Sequence, residues 1–189
     1  MKRSLEKFNR LVESLQSLPT IGQKSATRLA YHMVMNDSFN ALKLAHAIEN
    51  AIATLKKCRS CGGISEHELC SICSDEYRDG EVLCIVENAK DILTIEENAL
   101  FDGKYFVLDS IEELDISHLR FLISKGVREV IFALSPSIAN HGVILYIEDK
   151  LKDFDISFTR IAQGVPTGVS LENVDVLSLS KALEDRVKI

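Results

Sequence analysis

The sequence predicts a multi-domain α+β protein: a helical N-terminal module, a small four-cysteine module, an α/β domain with a parallel sheet, and a short C-terminal segment. Three observations carry that expectation. Apolar residues recur at helical spacing through residue 57. Two C-x-x-C pairs follow, separated by eight residues. Beyond them, short β-branched runs alternate with helical stretches, the order that lays strands parallel with crossover helices between them. The expected divisions are 1–57, 58–76, 77–160 and 161–189.

The first helix is "SLEKFNRLVESLQSL", in which Leu5, Phe8, Leu11, Val12, Leu15 and Leu18 recur at spacings of three and four. Pro19 and Gly22 interrupt the pattern. A second helix is expected from Gln23 to Met35, with Ala26, Leu29, Ala30 and Met33 inward. In "NDS", Asp37 or Ser38 can cap a third, which continues through "FNALKLAHAIENAIATLKK". Two short helices joined by a tight turn, with a glycine before the second, form a helix-hairpin-helix. Its second helix presents main-chain N–H groups, which bind phosphate without reading bases. Lys24 and Arg28 are four residues apart and share a face of that helix. A lysine in a first turn opposes the helix dipole at a cost of about 0.3–1 kcal/mol. A DNA phosphate beside it reverses the sign, so Gly22, Lys24 and Arg28 are the candidate DNA contacts.

Charge points the same way. The chain carries a net −6, yet residues 1–57 hold nine Lys/Arg against four Asp/Glu, while residues 58–189 hold 13 against 24. A basic module on an acidic body suits a polyanion partner. An apolar content of 46% with few Gly and Pro excludes a disordered chain. The N-terminal "MKRSLEKFNRL" lacks an apolar stretch of signal-peptide length. Runs such as "VIFAL" fall far short of the roughly 20 apolar residues that span a bilayer. A soluble, cytoplasmic protein without membrane contact is therefore expected.

Cys58 and Cys61 form one C-x-x-C, Cys70 and Cys73 the second. Four thiolates so spaced can close a tetrahedron around zinc, and Gly62 and Gly63 relieve the first bend. Lys56, Lys57 and Arg59 lie nearby in sequence and favour the thiolate form. Disulfide pairing is the competing use, but nothing points to an oxidising compartment. Four cysteine ligands leave no open coordination position, so one structural zinc per chain is expected. Cys84, inside "EVLCIVE", reads as an inert buried thiol.

The strands expected next are "EVLCIVE", "KYFVLD", "REVIFALS" and "DISFTRI", with helices over about 88–99, 115–125 and 139–152. The tail opens with a Gly/Pro loop and ends in a short helix from Ser178. In a parallel sheet, ligand chemistry sits beyond the carboxyl ends of the strands. Glu87 and Asp109 fall there and could hold magnesium. After the third strand, "LSPSIANHG" supplies no carboxylate, and its His141 is not a magnesium-type ligand. Two-metal catalysis is thus poorly provided for, and no G-x-x-x-x-G-K-[ST] loop occurs.

Taken in order, "LPTIGQKSATRLA", "CRSCGGISEHELCSIC", "LCIVENAKDILTIEE", "KYFVLDS" and "AQGVPTGVSLENVDVLSLSKAL" resemble the RecR family of bacterial recombination mediators, over essentially the whole chain. The resemblance implies a helix-hairpin-helix, a zinc finger, a Toprim domain and a C-terminal segment. It implies a ring-shaped tetramer that encircles duplex DNA without sequence specificity. Such a ring acts with RecO, and in many bacteria RecF, to help RecA displace single-strand-binding protein in DNA repair. It implies no enzymatic activity. By motif match, Lys24 and Arg28 would contact DNA, Cys58, Cys61, Cys70 and Cys73 would hold zinc, and Glu87 would lie in a partner-binding region. The family's hairpin turn usually reads L-P-G-[VI]-G-P-K-S-A; here Thr20 and Gln23 replace a glycine and a proline. After the third strand it usually reads N-P-T-x-E-G-E-A-T, where this chain has Ala139 and His141 at the acidic positions. In "GVPTGVSLE", Val169 and Ser170 replace the usual Gly-Glu, and Gln163 replaces an arginine. The competing expectations are a magnesium-dependent Toprim nuclease or primase-like enzyme using Glu87 and Asp109, and a zinc-stabilised transcription or adaptor module.

Overall fold

An apolar stripe of Phe8, Leu11, Val12 and Leu15 runs partly buried along the first helix, α1 (Glu6–Gln16). It packs on α2 (Gln23–Tyr31), whose Ala26 and Ala30 are fully buried. Alanine at both positions lets the two backbones approach closely. The computed structural model describes residues 5–99, 101–110, 112, 114–162, 164–165 and 168–184. The chain divides into two units, one ending at Leu55 and one starting at Lys56.

Regular α-helix stops at Tyr31, earlier than the expected Met35, and continues as a π turn over His32–Asn36. There the Asp37 N–H reaches back to the His32 carbonyl at 2.9 Å. The Asp37 carboxylate then caps α3 (Ser38–Thr54) by accepting the Asn40 N–H at 3.2 Å, and its bonds from Asn40, side chain first, lower its pKa. No described side chain of α3 is buried; Phe39 and Ile52 are 77% and 78% exposed.

The second unit opens with a hairpin of two-residue strands, β1 (Lys56–Lys57) and β2 (Ile64–Ser65), which the sequence pattern does not announce. A short helical turn, α4 (Ser71–Ser74), follows. The main sheet has β3 (Asp79–Val86), β4 (Gly103–Val107), β5 (Glu129–Ala133) and β6 (Ser157–Arg160), all parallel in the order β4-β3-β5-β6. The crossovers are α5 (Ala89–Glu97), α6 (Ile116–Ile123) and α7 (Ile138–Leu151). The expected fold class is therefore what the structure holds.

Strand alternation sorts the apolar residues into two layers. Leu83, Ile85, Phe106, Val130 and Phe132 meet Leu119 and Ile123 of α6 and Val143, Ile147 and Leu151 of α7. On the opposite face Cys84, Val86, Tyr105 and Val107 meet Ile92 of α5 together with Cys58, Cys61 and Cys70. The cysteine module is thus part of the sheet's second core rather than a bead of its own. Cys84 sits in that core, and burial alone pushes its thiol up to about 11, in keeping with an inert role.

One polar cluster ties the segment before β3 to this layer. Arg78 donates to Glu96 Oε1 at 2.9 Å and to the Phe101 and Gly103 carbonyls at 3.2 and 3.1 Å. The Tyr105 hydroxyl donates to Glu96 Oε1 at 2.6 Å. Burial raises the Glu96 pKa, but the bonds from Arg78 and Tyr105 and the Arg78 charge outweigh it, and the net shift is downward. A carboxylate depressed in the folded state stabilises the fold at every pH above its unfolded value and loses that contribution as pH falls through the folded pKa. Glu96→Gln should therefore flatten the acid limb of the stability-against-pH curve below about pH 4.3, measured by denaturant titration.

Past β6, a 3₁₀ turn (Leu171–Asn173) leads into α8 (Val176–Glu184), two residues ahead of the expected start at Ser178. Asp175 accepts the Ser178 N–H at 2.9 Å. Gln163, Pro166 and Thr167 lie outside the described residues. No helix among the described residues is long and apolar enough to cross a membrane.

Candidate functional site

The turn from α1 to α2 is closed by the Ile21 N–H on the Leu18 carbonyl at 3.3 Å. Thr20 sits at φ 68°, in the left-handed region that suits glycine. The turn holds a β-branched residue in strain, typically about 1–3 kcal/mol. Thr20→Gly should relieve that strain, partly offset by the greater freedom of glycine in the unfolded chain, for a net gain of about 1 kcal/mol in urea denaturation.

Gly22 is the N-cap of α2 in extended geometry, and a Cβ placed there would meet no atom within 4 Å. The fold itself does not demand glycine at this point. Its carbonyl accepts the Ala26 N–H at 2.9 Å, but it offers no capping side chain. Among the described residues no acceptor meets the N–H groups of Gln23, Lys24 or Ser25. Lys24 and Arg28 are exposed, and neither forms an ion pair among the described residues. Arg10 differs, being tied to Glu6 at 2.8 Å. The hairpin therefore offers three unpartnered amides and two uncommitted cations on one helix, a combination suited to a phosphate backbone.

The metal centre is built by two knuckles. Gly62 takes φ 77°, and a Cβ there would come within 3.2 Å of Val107 Cβ, so both conformation and space call for glycine. The sulfur atoms of Cys58, Cys61, Cys70 and Cys73 all lie within 4.8 Å of one another, and no disulfide joins them. Cys61 Sγ and Cys70 Sγ are 3.7 Å apart. A tetrahedron with Zn–S bonds of about 2.3 Å has an S–S edge of about 3.8 Å. The Gly63 N–H donates to Cys61 Sγ and the Cys70 N–H to Cys58 Sγ, both at 3.3 Å, as donors that orient thiolate ligands do. A hydrogen bond from Cys61 draws the Cys73 thiol down to about 5 and raises Cys61 in return; burial raises Cys70. Four sulfurs and no other protein donor fit one structural zinc ion, held by these four cysteines.

The expected helpers of the thiolates act elsewhere. Arg59 pairs with Glu68 at 2.6 Å and braces one knuckle against the other. The Lys57 ammonium pairs with Asp109. The module is also sewn to the edge strand β4 and to α6: the Val107 N–H donates to the Cys61 carbonyl at 2.8 Å, and the His118 ring meets the Ser60 carbonyl at 2.8 Å.

At the carboxyl edge of the sheet, Glu87 and Asp109 do fall together, the Asp109 N–H donating to the Glu87 carbonyl at 2.9 Å. The Glu87 side chain is already engaged. Its Oε1 accepts the Ser135 N–H at 2.6 Å and the Asn140 side-chain amide at 2.5 Å. Ala139 and His141 are exposed on the first turn of α7 and supply no carboxylate. Among the described residues, the cysteines are the only group of three or more His, Cys, Asp or Glu close enough to share a metal. At this edge the sequence shows neither the Asn140 contact nor the true partner of Lys57; each of these two side chains reaches its carboxylate across about 50 residues of chain.

Comparison with known proteins matches residues 8–52 to the RecR helix-hairpin-helix, 55–75 to the RecR four-cysteine zinc finger domain and 81–162 to the Toprim domain. The chain is 56% identical to Recombination protein RecR of a Nitratiruptor species, over 190 residues and the full length of both. The chain belongs to the RecR family. It is 54% identical to the RecR of Campylobacter jejuni subsp. doylei, again over both full lengths. With the RecR of Helicobacter pylori (strain Shi470) it shares 48% identity over 99% of this chain and 97% of that one. Its RecR membership places it among recombination proteins. The RecR zinc-finger match falls on the four clustered cysteines, and the Toprim match on the parallel sheet.

Proposed function

We propose that the chain is a non-catalytic, clamp-like recombination mediator in DNA repair. It binds DNA without sequence specificity and acts in the cytoplasm with RecO to help RecA load on DNA coated by single-strand-binding protein. RecF is a further candidate partner. The observation that carries this reading is the open N-terminus of α2, where Gly22 clears the approach and Lys24 and Arg28 stand without partners on one exposed helix. Main-chain amides and cations aimed at phosphate give affinity without base readout.

Assembly follows from what the N-terminal unit leaves uncovered. Ala26 and Ala30 are its only buried hydrophobic residues among those described, while Phe39, Leu42 and Ile52 lie mostly in water. A small unit with so little interior and so much exposed apolar surface is built to be covered. Further copies of the chain are the proposed cover, closing into a ring-shaped tetramer. Four hairpins then act on one DNA with the avidity that a single basic turn lacks. The acidic remainder of the chain suits a basic partner. Glu87 is the proposed partner contact, through Oε2, which meets no donor among the described residues. The four segments serve as DNA-binding hairpin (1–57), zinc module (58–76), Toprim body (77–160) and C-terminal segment (161–189), with Lys56–Lys57 at the end of the first lending β1 to the zinc module's hairpin.

Two unrelated duplexes of equal length should bind with nearly equal affinity. A preference approaching the roughly thousandfold of a site-specific binder would refute the reading in favour of a transcription module. The Toprim match keeps an enzyme in view. Cleavage of nicked DNA or extension of primed DNA in magnesium or manganese, removed by Glu87→Gln, would overturn the non-catalytic assignment.

A further inference from the structure

We infer that Lys57 is the built-in cation of the Toprim carboxylate edge, delivered by the zinc hairpin, and that with Asn140 it closes that edge to divalent metal. A magnesium ion needs carboxylate oxygens with free lone pairs, completed by water in near-octahedral geometry. The residues present do not offer a full set: Glu87 keeps only Oε2 without a donor among the described residues, and Asp109 already carries an ammonium. On Asp109 the Lys57 ammonium donates to Oδ2. On Glu87, two N–H donors converge on Oε1. After β5, where a third acid would stand, the first turn of α7 presents the Asn140 amide, a donor with its positive end toward Glu87. A divalent ion would have to displace a resident ammonium and turn away two N–H dipoles.

The backbone is held on both sides of the pair. Lys57 pairs with Ile64 across the hairpin and directly precedes the ligand Cys58, whose N–H donates to the Gly63 carbonyl at 2.6 Å. Asp109 is held at φ 52° with its N–H on the Glu87 carbonyl. The pair is too exposed to add much stability, with side chains 69% and 34% accessible. Its consequence is electrostatic: the zinc module supplies the charge that a soluble metal supplies at an open edge. This inference is independent of whether the chain rings DNA.

The test is manganese uptake by the full-length, zinc-loaded chain, read from the electron paramagnetic resonance of free Mn²⁺. Wild type should take up no Mn²⁺ in the micromolar range. Lys57→Met combined with Asn140→Ala, with zinc retained, should bind one Mn²⁺ at least about tenfold more tightly than wild type, the scale on which ligand-shell changes move metal affinity. Micromolar, stoichiometric uptake by wild type, or a zinc-loaded double variant that takes up no more than wild type, overturns the inference. Should the double variant lose zinc, wild type alone decides. The amide resonances of Ser135 and Asp109 should stay in place as Mg²⁺ is added, and a saturable shift refutes the proposal.

Discussion

Stripping zinc from the folded chain is expected to lower its stability by at least about 4 kcal/mol, roughly 10 °C in melting temperature for a chain of this size. The reason lies in where the cysteines sit. Cys58, Cys61 and Cys70 are part of the apolar layer that also holds Cys84, Val86, Ile92, Tyr105 and Val107. Without metal, four sulfurs within 4.8 Å of one another must take up protons or repel, and the knuckles open. Structural zinc contributes about 10–16 kcal/mol of apparent binding energy in small modules, comparable to the whole stability of a domain. The loss then spreads along the Cys61–Val107 hydrogen bond and the Lys57–Asp109 pair into the sheet. Cys70→Ser should behave like chelation. Cys84→Ala in the same layer should keep zinc and lose only about 1 kcal/mol. Calorimetry with and without a chelator checks this, and a transition that moves by less than a few degrees would refute a structural metal.

Lys24→Ala combined with Arg28→Ala should weaken DNA binding at least about a hundredfold near 0.15 M salt while leaving the fold intact. Each phosphate neutralised adds about −0.9 to the slope of log affinity against log salt. The proposed four-chain ring, with two such cations per chain, would therefore lose up to about 7 from its slope when they are removed. Neither side chain has an ion-pair partner among the described residues, so truncation should change stability by no more than about 0.5 kcal/mol. Losing a lysine from a first turn can even stabilise the helix slightly. A merely solvated pair gives the opposite pattern, with affinity and slope both unchanged. Fluorescence anisotropy across a salt series separates the two outcomes.

Much of this is legible in the amino-acid chain itself. β3 shows itself through alternation: Leu83 and Ile85 face one layer, Cys84 and Val86 the other. The zinc ligands show themselves through spacing, because two C-x-x-C pairs let four sulfurs converge on one ion. The hairpin is legible because Pro19 and Gly22 break a strong helical period. Hidden were the contacts that join distant segments. Nothing local marks Lys57 as the partner of Asp109, 52 residues on, or Asn140 as the partner of Glu87 across 53. The strands β1 and β2 are two residues each, too short for a period to register. The π turn at His32–Asn36 inserts one residue into a pattern that otherwise reads as continuous helix. That the cysteine module packs on the α5 face of the sheet follows from tertiary structure alone.

The central claim is that hairpins around Gly22 act together, several per assembly, on one DNA backbone. Sedimentation of the zinc-loaded protein with and without a short duplex tests it most directly. The account predicts a particle of four chains that co-sediments with the duplex at low salt and lets it go as salt rises. A particle that remains a single chain at every concentration and ignores DNA even in dilute buffer would contradict it.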